Sequence, residues 1–409
     1  MDYTLSDLLY TGTDTRVVAG LRRDSQTPVV LKLPRHELPA EETLVRLRDE
    51  YALLRELDLP GIIKVLDLVP HGAGVALVLE QWGAGSLDRR LGSGPLPVAV
   101  VLRLGAALAR VLGQMHQRGV IHCDIKPQNI LVNADCTDVR LIDFGVARRR
   151  SQAAATPAQG ELIGTLAYMA PEQAGRLRRS IDARADLYAL GGTLYHMLTG
   201  ELPFAMTDDL SLIHAHIARR PTPPHERAEK LAIPQSVSAI VMKLLEKSPE
   251  RRYQTADGAA FDMEHALSLL EQTGEIPPFA LGTRDWEDRI RRPSRLFGRE
   301  REQQALMEAL RSVRHGAARL ILVAGPSGVG KSALVGAVHQ QVLEQEGTFA
   351  AGKFDLLQRG TPYAAIGQAV RALVRRKLDG SAEELARWRQ IWSAALGASA
   401  KILVDFSPE

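Results

Sequence analysis

The sequence predicts a bilobal α+β domain followed by a partial α/β domain, and three observations carry that prediction. The first 90 residues are rich in short β-branched runs. The stretch from Val98 to about Leu270 carries helical periods, and the apolar run Arg319–Ala324 leads through a glycine-rich turn into a further helical pattern. At 409 residues the chain is also too long for one ordinary core.

In chain order, Arg16–Leu21, Val29–Leu33, Ile62–Leu68 and Val75–Glu80 read as antiparallel strands, separated by turn formers such as Asp24-Ser25 and His71-Gly72-Ala73-Gly74. One helix interrupts them over Glu41–Leu57, where Leu44, Leu47, Tyr51, Leu54 and Leu57 recur at three- and four-residue spacing and mark a buried face. Helical periods then dominate to Leu270. Glu275–Arg295 reads as linker, with Pro277, Pro278, Gly282 and Pro293. The expected boundaries are a first domain at 1–272, with lobes at about 1–82 and 83–272, a linker at 273–296, and a truncated second domain at 297–409.

Composition narrows the function classes. Apolar residues at 45% and charged residues at 24% are globular values. The net charge is +3, from 51 basic and 48 acidic residues spread along the chain, so neither nucleic acid nor an anionic membrane is expected as the main partner. Cys123 and Cys136 have neither metal-ligand nor redox spacing, which fits a reducing compartment. The start MDYTLSDLLYTG lacks the basic and apolar regions of a signal peptide. Arg103 and Arg110 break the apolar stretch Val98–Met115, so no membrane span is expected and the chain reads as cytoplasmic.

The chemistry concentrates in HCDIKPQN at His122–Asn129 and in Asp143-Phe144-Gly145. Together they resemble the catalytic loop and metal-binding triplet of protein kinases, and H-x-D-x-K-P-x-N followed by D-F-G is a highly specific combination. Phosphoryl transfer asks for positioning and charge neutralisation: a cation on the phosphates, metal ligands, and a carboxylate aimed at the attacking hydroxyl. The resemblance implies each part. Lys32, ending the strand VVLK, would reach the α- and β-phosphates of ATP, and Glu50, 18 residues later, would hold it. Asp124 would accept the hydroxyl proton, Asn129 and Asp143 would ligate Mg²⁺, and Lys126 stands where serine/threonine kinases carry a lysine on the γ-phosphate. A protein serine or threonine hydroxyl, possibly on the chain itself, is then the acceptor.

Further expectations follow from the same resemblance. Glu172 of Ala170-Pro171-Glu172 should pair with Arg252, and Asp186 should brace the catalytic loop. The Thr165 hydroxyl should bridge Asp124 and Lys126. Val17 should lie over the nucleotide, Leu79 should act as gatekeeper, and the backbone of Glu80-Gln81-Trp82 should bond the adenine. His122 reads as a packed loop histidine.

Two departures matter. Tyr10, Gly12 and Thr15 fall at the three places of the glycine-rich loop, so only the central Gly12 survives and the amide cradle should be stiffer and less complete. The residue before Asp124 is Cys123, where many kinases have an arginine that docks a phosphorylated activation segment. Activity is therefore expected to be constitutive or controlled by the neighbouring domain. The rival reading is a pseudokinase that binds nucleotide and serves as a regulatory scaffold.

The second domain carries GPSGVGKS at Gly325–Ser332, the G-x-x-x-x-G-K-S pattern between a strand and a helix that marks a P-loop. Gly325, Gly328, Gly330 and Lys331 would wrap the phosphates of a second ATP and Ser332 would bind Mg²⁺, with Asp405 as the candidate Walker B carboxylate on another strand. With FGREREQQAL before it, the region resembles an AAA-type, STAND-like ATPase. Both halves together resemble the N-terminal region of large bacterial signalling proteins, which implies downstream signalling modules as partners.

Overall fold

The computed structural model describes residues 2–149, 164–174, 181–206, 208–285, 299–314 and 318–326, with isolated positions as far as 369. Residues 1–293 and 294–409 form two separate compact units.

Among the described residues the first unit opens with a five-stranded antiparallel sheet in the order β1-β2-β3-β5-β4. Its strands are β1 (Tyr3–Thr11), β2 (Thr15–Arg22), β3 (Pro28–Pro34), β4 (Val65–His71) and β5 (Gly74–Glu80). Helix α1 (Glu41–Leu57) lies between β3 and β4, with the bounds its apolar spacing predicts. The alternation of side chains along β3 and β5 decides what the sheet offers each side. Val29, Leu31, Leu33, Ala76 and Val78 form one small core with Tyr3 and Val18, whereas Leu77 and Leu79 join Leu47, Leu54 and Leu57 of α1 in the main core. Lys32, out of phase with Leu31 and Leu33, is thereby turned toward α1.

Strand β1 has no sequence signature, and the reason is visible in its pairing. Register shifts between Leu5 and Leu8 and between Leu8 and Tyr10 break the two-residue period, and only Tyr3 is buried. The strand β4 begins at Val65 rather than Ile62. Ile62 and Ile63 instead anchor the chain to the second lobe, where the Ile63 amide donates to the Leu141 carbonyl at 2.9 Å and the Leu141 amide to that of Gly61 at 2.8 Å.

The second lobe is helical. Its short elements are β6 (Gly85–Ser86), α2 (Leu87–Leu91), β7 (Val120–Ile121), β8 (Ile130–Val132), β9 (Val139–Leu141) and β10 (Arg148–Arg149), and they frame the cleft. Below them lie α3 (Val98–Gln117), α4 (Arg184–Thr199), α5 (Asp209–Ala218), α6 (Pro224–Arg227), α7 (Gln235–Leu244) and α8 (Ala256–Thr273). Helix α3 is long and apolar enough to cross a membrane by composition, but most of that surface is buried inside the lobe. The arginines that break its apolar run sit on its outer face, Arg103 on Glu271 and Arg110 on Asp257 and Glu264.

The stretch read as linker is docked against this lobe as far as Asp285. Ser236 Oγ donates to the Pro277 carbonyl at 2.9 Å, and the Gly282 amide donates to Asp262 at 2.7 Å. The Asp285 carboxylate accepts from the amides of Gln254 and Thr255, both at 2.8 Å, and so ties the segment to the residues that lead into α8, whose N-cap is Thr255 itself. Composition signals the prolines and glycine of this segment but not the polar groups that receive it.

Lys247 is mostly buried beside α4 and α5. Its ammonium donates to Tyr188 Oη at 3.0 Å and to the Ala215 carbonyl at 3.3 Å, and lies 4.5 Å from the centre of the Phe204 ring. Burial, with the Arg252 guanidinium nearby, pulls its pKa down to about 7. A folded value below the unfolded one favours the neutral amine, so stability should rise as pH climbs above about 7 toward the ordinary lysine value of 10.5. The pH dependence of the urea midpoint should show that rise in the unaltered chain and a much smaller one in Lys247→Met. Equal slopes would remove Lys247 as its source.

Candidate active site

The cleft between the lobes brings together residues from five elements. Lys32 Nζ on β3 lies 2.7 Å from Glu50 Oε2 on α1 and 2.7 Å from Asp143 Oδ1 after β9. Glu50 is almost fully buried, and its second oxygen accepts the Phe144 amide at 3.1 Å, so one carboxylate fixes both the lysine and the triplet. Burial alone would lower the Lys32 pKa, but the Glu50 and Asp143 carboxylates outweigh it and hold the ammonium above the ordinary lysine range. Desolvation in the cleft likewise works against the Asp143 carboxylate, although its side chain stays partly open to solvent, and Lys32 overcomes it, taking that group down to about 2. Both charges are therefore in place throughout the physiological range.

Asp124 is held from three sides. Asn129 Nδ2 donates to its carboxylate and to its carbonyl, both at 2.9 Å, Lys126 Nζ lies 2.7 Å from Oδ2, and the Thr165 amide donates to Oδ1 at 2.8 Å. The expected threonine bridge is thus built differently. The Thr165 hydroxyl accepts from Lys126 at 2.6 Å, while the backbone amide rather than the hydroxyl reaches Asp124. The preceding residue, Gly164, has φ +91°, and a Cβ there would come within 2.5 Å of the Cys123 carbonyl.

The loop itself hangs on Asp186 in the first turn of α4, whose carboxylate accepts the His122 amide at 2.9 Å and the Cys123 amide at 2.8 Å. His116 Nε2 lies 2.8 Å from the same group. Sequence reasoning missed His116, although its place at the end of α3, six residues before His122, was available as a signal. It also missed Gln173, whose Nε2 donates to the Cys123 carbonyl at 2.7 Å. His122 is fully buried, with its ring 4.7 Å from that of Phe144, as a packed loop histidine. Cys123 has φ +67° and is buried, and burial together with the neighbouring Asp186 keeps its thiol protonated, so it is a substitution rather than a reactive thiolate. Glu172 and Arg252 form the expected pair, buried and two-pronged at 2.6 and 2.8 Å.

The glycine-loop position is a closed turn. The Gly12 amide donates to the Thr15 carbonyl at 2.8 Å, Arg35 donates to the Gly12 carbonyl at 3.2 Å, and Arg46 of α1 pairs with Asp14 at 3.3 Å. Val17 lies opposite Lys32 in the sheet and Leu79 is buried on β5. The side chains of Glu80 and Trp82 at the hinge are engaged with Arg140. Glu80 pairs with Arg140 at 2.5 Å, and the Arg140 guanidinium covers the Trp82 ring at 4.9 Å.

In the second unit Lys331 Nζ donates to the carbonyls of Gly325 and Pro326, both at 2.8 Å. Gly328, Gly330, Ser332 and Asp405 lie outside the described residues. The run 319–324, expected as a buried strand, has no sheet partner among the described residues and leaves Leu320 and Leu322 exposed.

A family model for the protein kinase domain matches residues 3–263. This chain belongs to the protein kinase family. A model for the AAA ATPase domain matches residues 295–406 of the same kinase chain. Among curated proteins, the kinase is 35% identical over 262 residues to the serine/threonine-protein kinase PknB of Mycobacterium leprae, covering 62% of this chain and 41% of that protein. It is 33% identical over 247 residues to the serine/threonine-protein kinase pkn2 of Myxococcus xanthus, covering 59% and 30%. It is 32% identical over 268 residues to the hybrid signal transduction histidine kinase G of Dictyostelium discoideum, covering 60% and 8%. The chain thus spans less than half the length of these relatives.

Proposed function

We propose that the chain transfers the γ-phosphoryl of Mg-ATP to serine or threonine hydroxyls of protein substrates, in cytoplasmic bacterial signalling, with the P-loop unit as its nucleotide-dependent regulator. The observation that carries this is the joint geometry of two sets of contacts, Lys32 with Glu50 and Asp143, and Asp124 with Lys126 and Asn129. Lys32 neutralises charge on the α- and β-phosphates and is kept cationic by its two carboxylates. The acceptor hydroxyl passes its proton to the Asp124 carboxylate as its oxygen attacks phosphorus, and the bridging bond to the leaving diphosphate breaks. Lys126, held by Thr165, offsets charge on the transferring group.

The donor set suits magnesium. Asn129 spends its amide N–H on Asp124, which leaves its side-chain oxygen as the atom a cation would take, and Asp143 has one oxygen on Lys32 while its side chain remains 45% exposed. The metal, when bound, would neutralise the phosphate oxygens.

One observation favours the scaffold reading: the Gly12 amide is already bonded to Thr15 and does not offer itself to a phosphate. Incubation with γ-labelled ATP and mapping of modified residues decides between the two. Label on serine or threonine, lost in Lys32→Ala and on chelation of magnesium, is the expected result. No incorporation into the chain or a generic acceptor would leave only nucleotide binding.

A further inference from the structure

Activation segments that switch by phosphorylation need a cation to receive the phosphate, and at the residue before Asp124 this chain has a buried, uncharged thiol. The site is nevertheless assembled, with Lys32 on Glu50 and the Phe144 amide on the same carboxylate. Something other than Cys123 must hold α1 against the start of the segment, because Glu50 rides on that helix and the triplet leads into that segment.

Three connections meet at the C-terminal end of α1. Arg118, following α3, donates to the Leu57 carbonyl at 2.5 Å, one of the carbonyls a helix end leaves without an intrahelical partner. The chain after α1 is tied to Leu141 through Gly61 and Ile63. The third is an ion pair between elements far apart in sequence. Arg149 Nη1 donates to Glu56 Oε1 at 2.9 Å, and Arg149 Nη2 donates to Glu56 Oε2, so the guanidinium meets the carboxylate with both prongs. The Arg149 backbone pairs with Val120 in the β7–β10 ladder, immediately ahead of the catalytic loop. One residue therefore touches the helix that carries Glu50 through its side chain and the strand leading to Asp124 through its backbone.

We propose that Arg149 is a positioning residue, acting through its pair with Glu56 to hold α1, the metal-binding triplet and the catalytic loop in one arrangement without a phosphate. Six residues separate Glu56 from Glu50 on the same helix, less than two turns, so a displacement of the helix end is transmitted to the Lys32–Glu50 contact. The pair is more than 40% exposed on both sides. Its stabilising effect on the fold as a whole is accordingly small, and its consequence is alignment. It also predicts salt sensitivity that a phosphate-free but fully buried device would not have.

The proposal rests on the kinase reading for its rate measurement and on none for its structural one, which keeps the two separable. In the full chain, Arg149→Glu and Glu56→Arg should each lower kcat roughly tenfold at saturating Mg-ATP, since each replaces an attraction by a repulsion, and the double exchange should recover most of the loss. In parallel, amide hydrogen exchange over residues 50–57 and 144–149 should quicken in each single variant and return toward the original rate in the double one. Unchanged kcat and exchange in the single variants, or a double exchange that fails to restore them, would overturn the role of Arg149. A chain that shows no phosphoryl transfer in any form but displays the exchange pattern would overturn the kinase reading and leave the clamp standing.

Discussion

Asp124→Asn is expected to lower the phosphoryl-transfer rate by about 10²–10⁴-fold while Mg-ATP binds as before. The substitution keeps shape and one acceptor oxygen, enough for the Thr165 amide, but its NH2 group can no longer accept from Asn129 and Lys126, and the amide cannot take the proton of the attacking hydroxyl. Lys32, Glu50 and Asp143, the proposed nucleotide end of the site, are joined to one another without Asp124, and binding should therefore survive. Single-turnover transfer together with nucleotide titration separates the two quantities. Equal phosphate incorporation by both proteins would show that the geometry around Asp124 serves something other than catalysis.

Arg252→Met should destabilise the helical lobe by about 3–5 kcal/mol, because it strands the buried Glu172 carboxylate without its partner. The guanidinium is 0% exposed and makes five hydrogen bonds, two to Glu172 and one each to the carbonyls of Glu246, Arg184 and Lys247. All its N–H groups are thus engaged, leaving no water to compensate. Denaturation midpoints of the single variant and of Arg252→Met combined with Glu172→Leu test the cause. The double variant should regain a good part of the loss, since two apolar side chains avoid the stranded charge. If the single variant melts with the unaltered protein, the pair contributes nothing to the lobe.

Much of the site was legible in the sequence because its chemistry needs particular side chains at set spacings along a short loop. Asp124, Lys126 and Asn129 lie within six residues, and Lys32 and Glu50 announce themselves through a strand and a helix of clear period. What was not legible depends on which backbone groups meet. The exchange of hydroxyl for amide in the Thr165 contact arises from the turn at Gly164, and the closed Gly12 turn from where Arg35 and Arg46 arrive. The strand β1 was hidden by bulges that remove its alternation. The docking of residues 275–285 was hidden because prolines and glycines signal a break in regular structure without saying what the chain then packs on.

By itself, then, the sequence determined the two-lobed α+β architecture, the candidate catalytic side chains, and the loss of the arginine before Asp124. Each of these is a matter of residue type and local period. The tertiary structure alone decided how that loss is met. Arg149 and Glu56 are 93 positions apart and look like two ordinary surface charges in the chain. They become a clamp only because the β7–β10 pairing carries one to the helix end where the other lies. Ion pairs between distant segments have no period and no motif, so only the folded chain can show which charges meet.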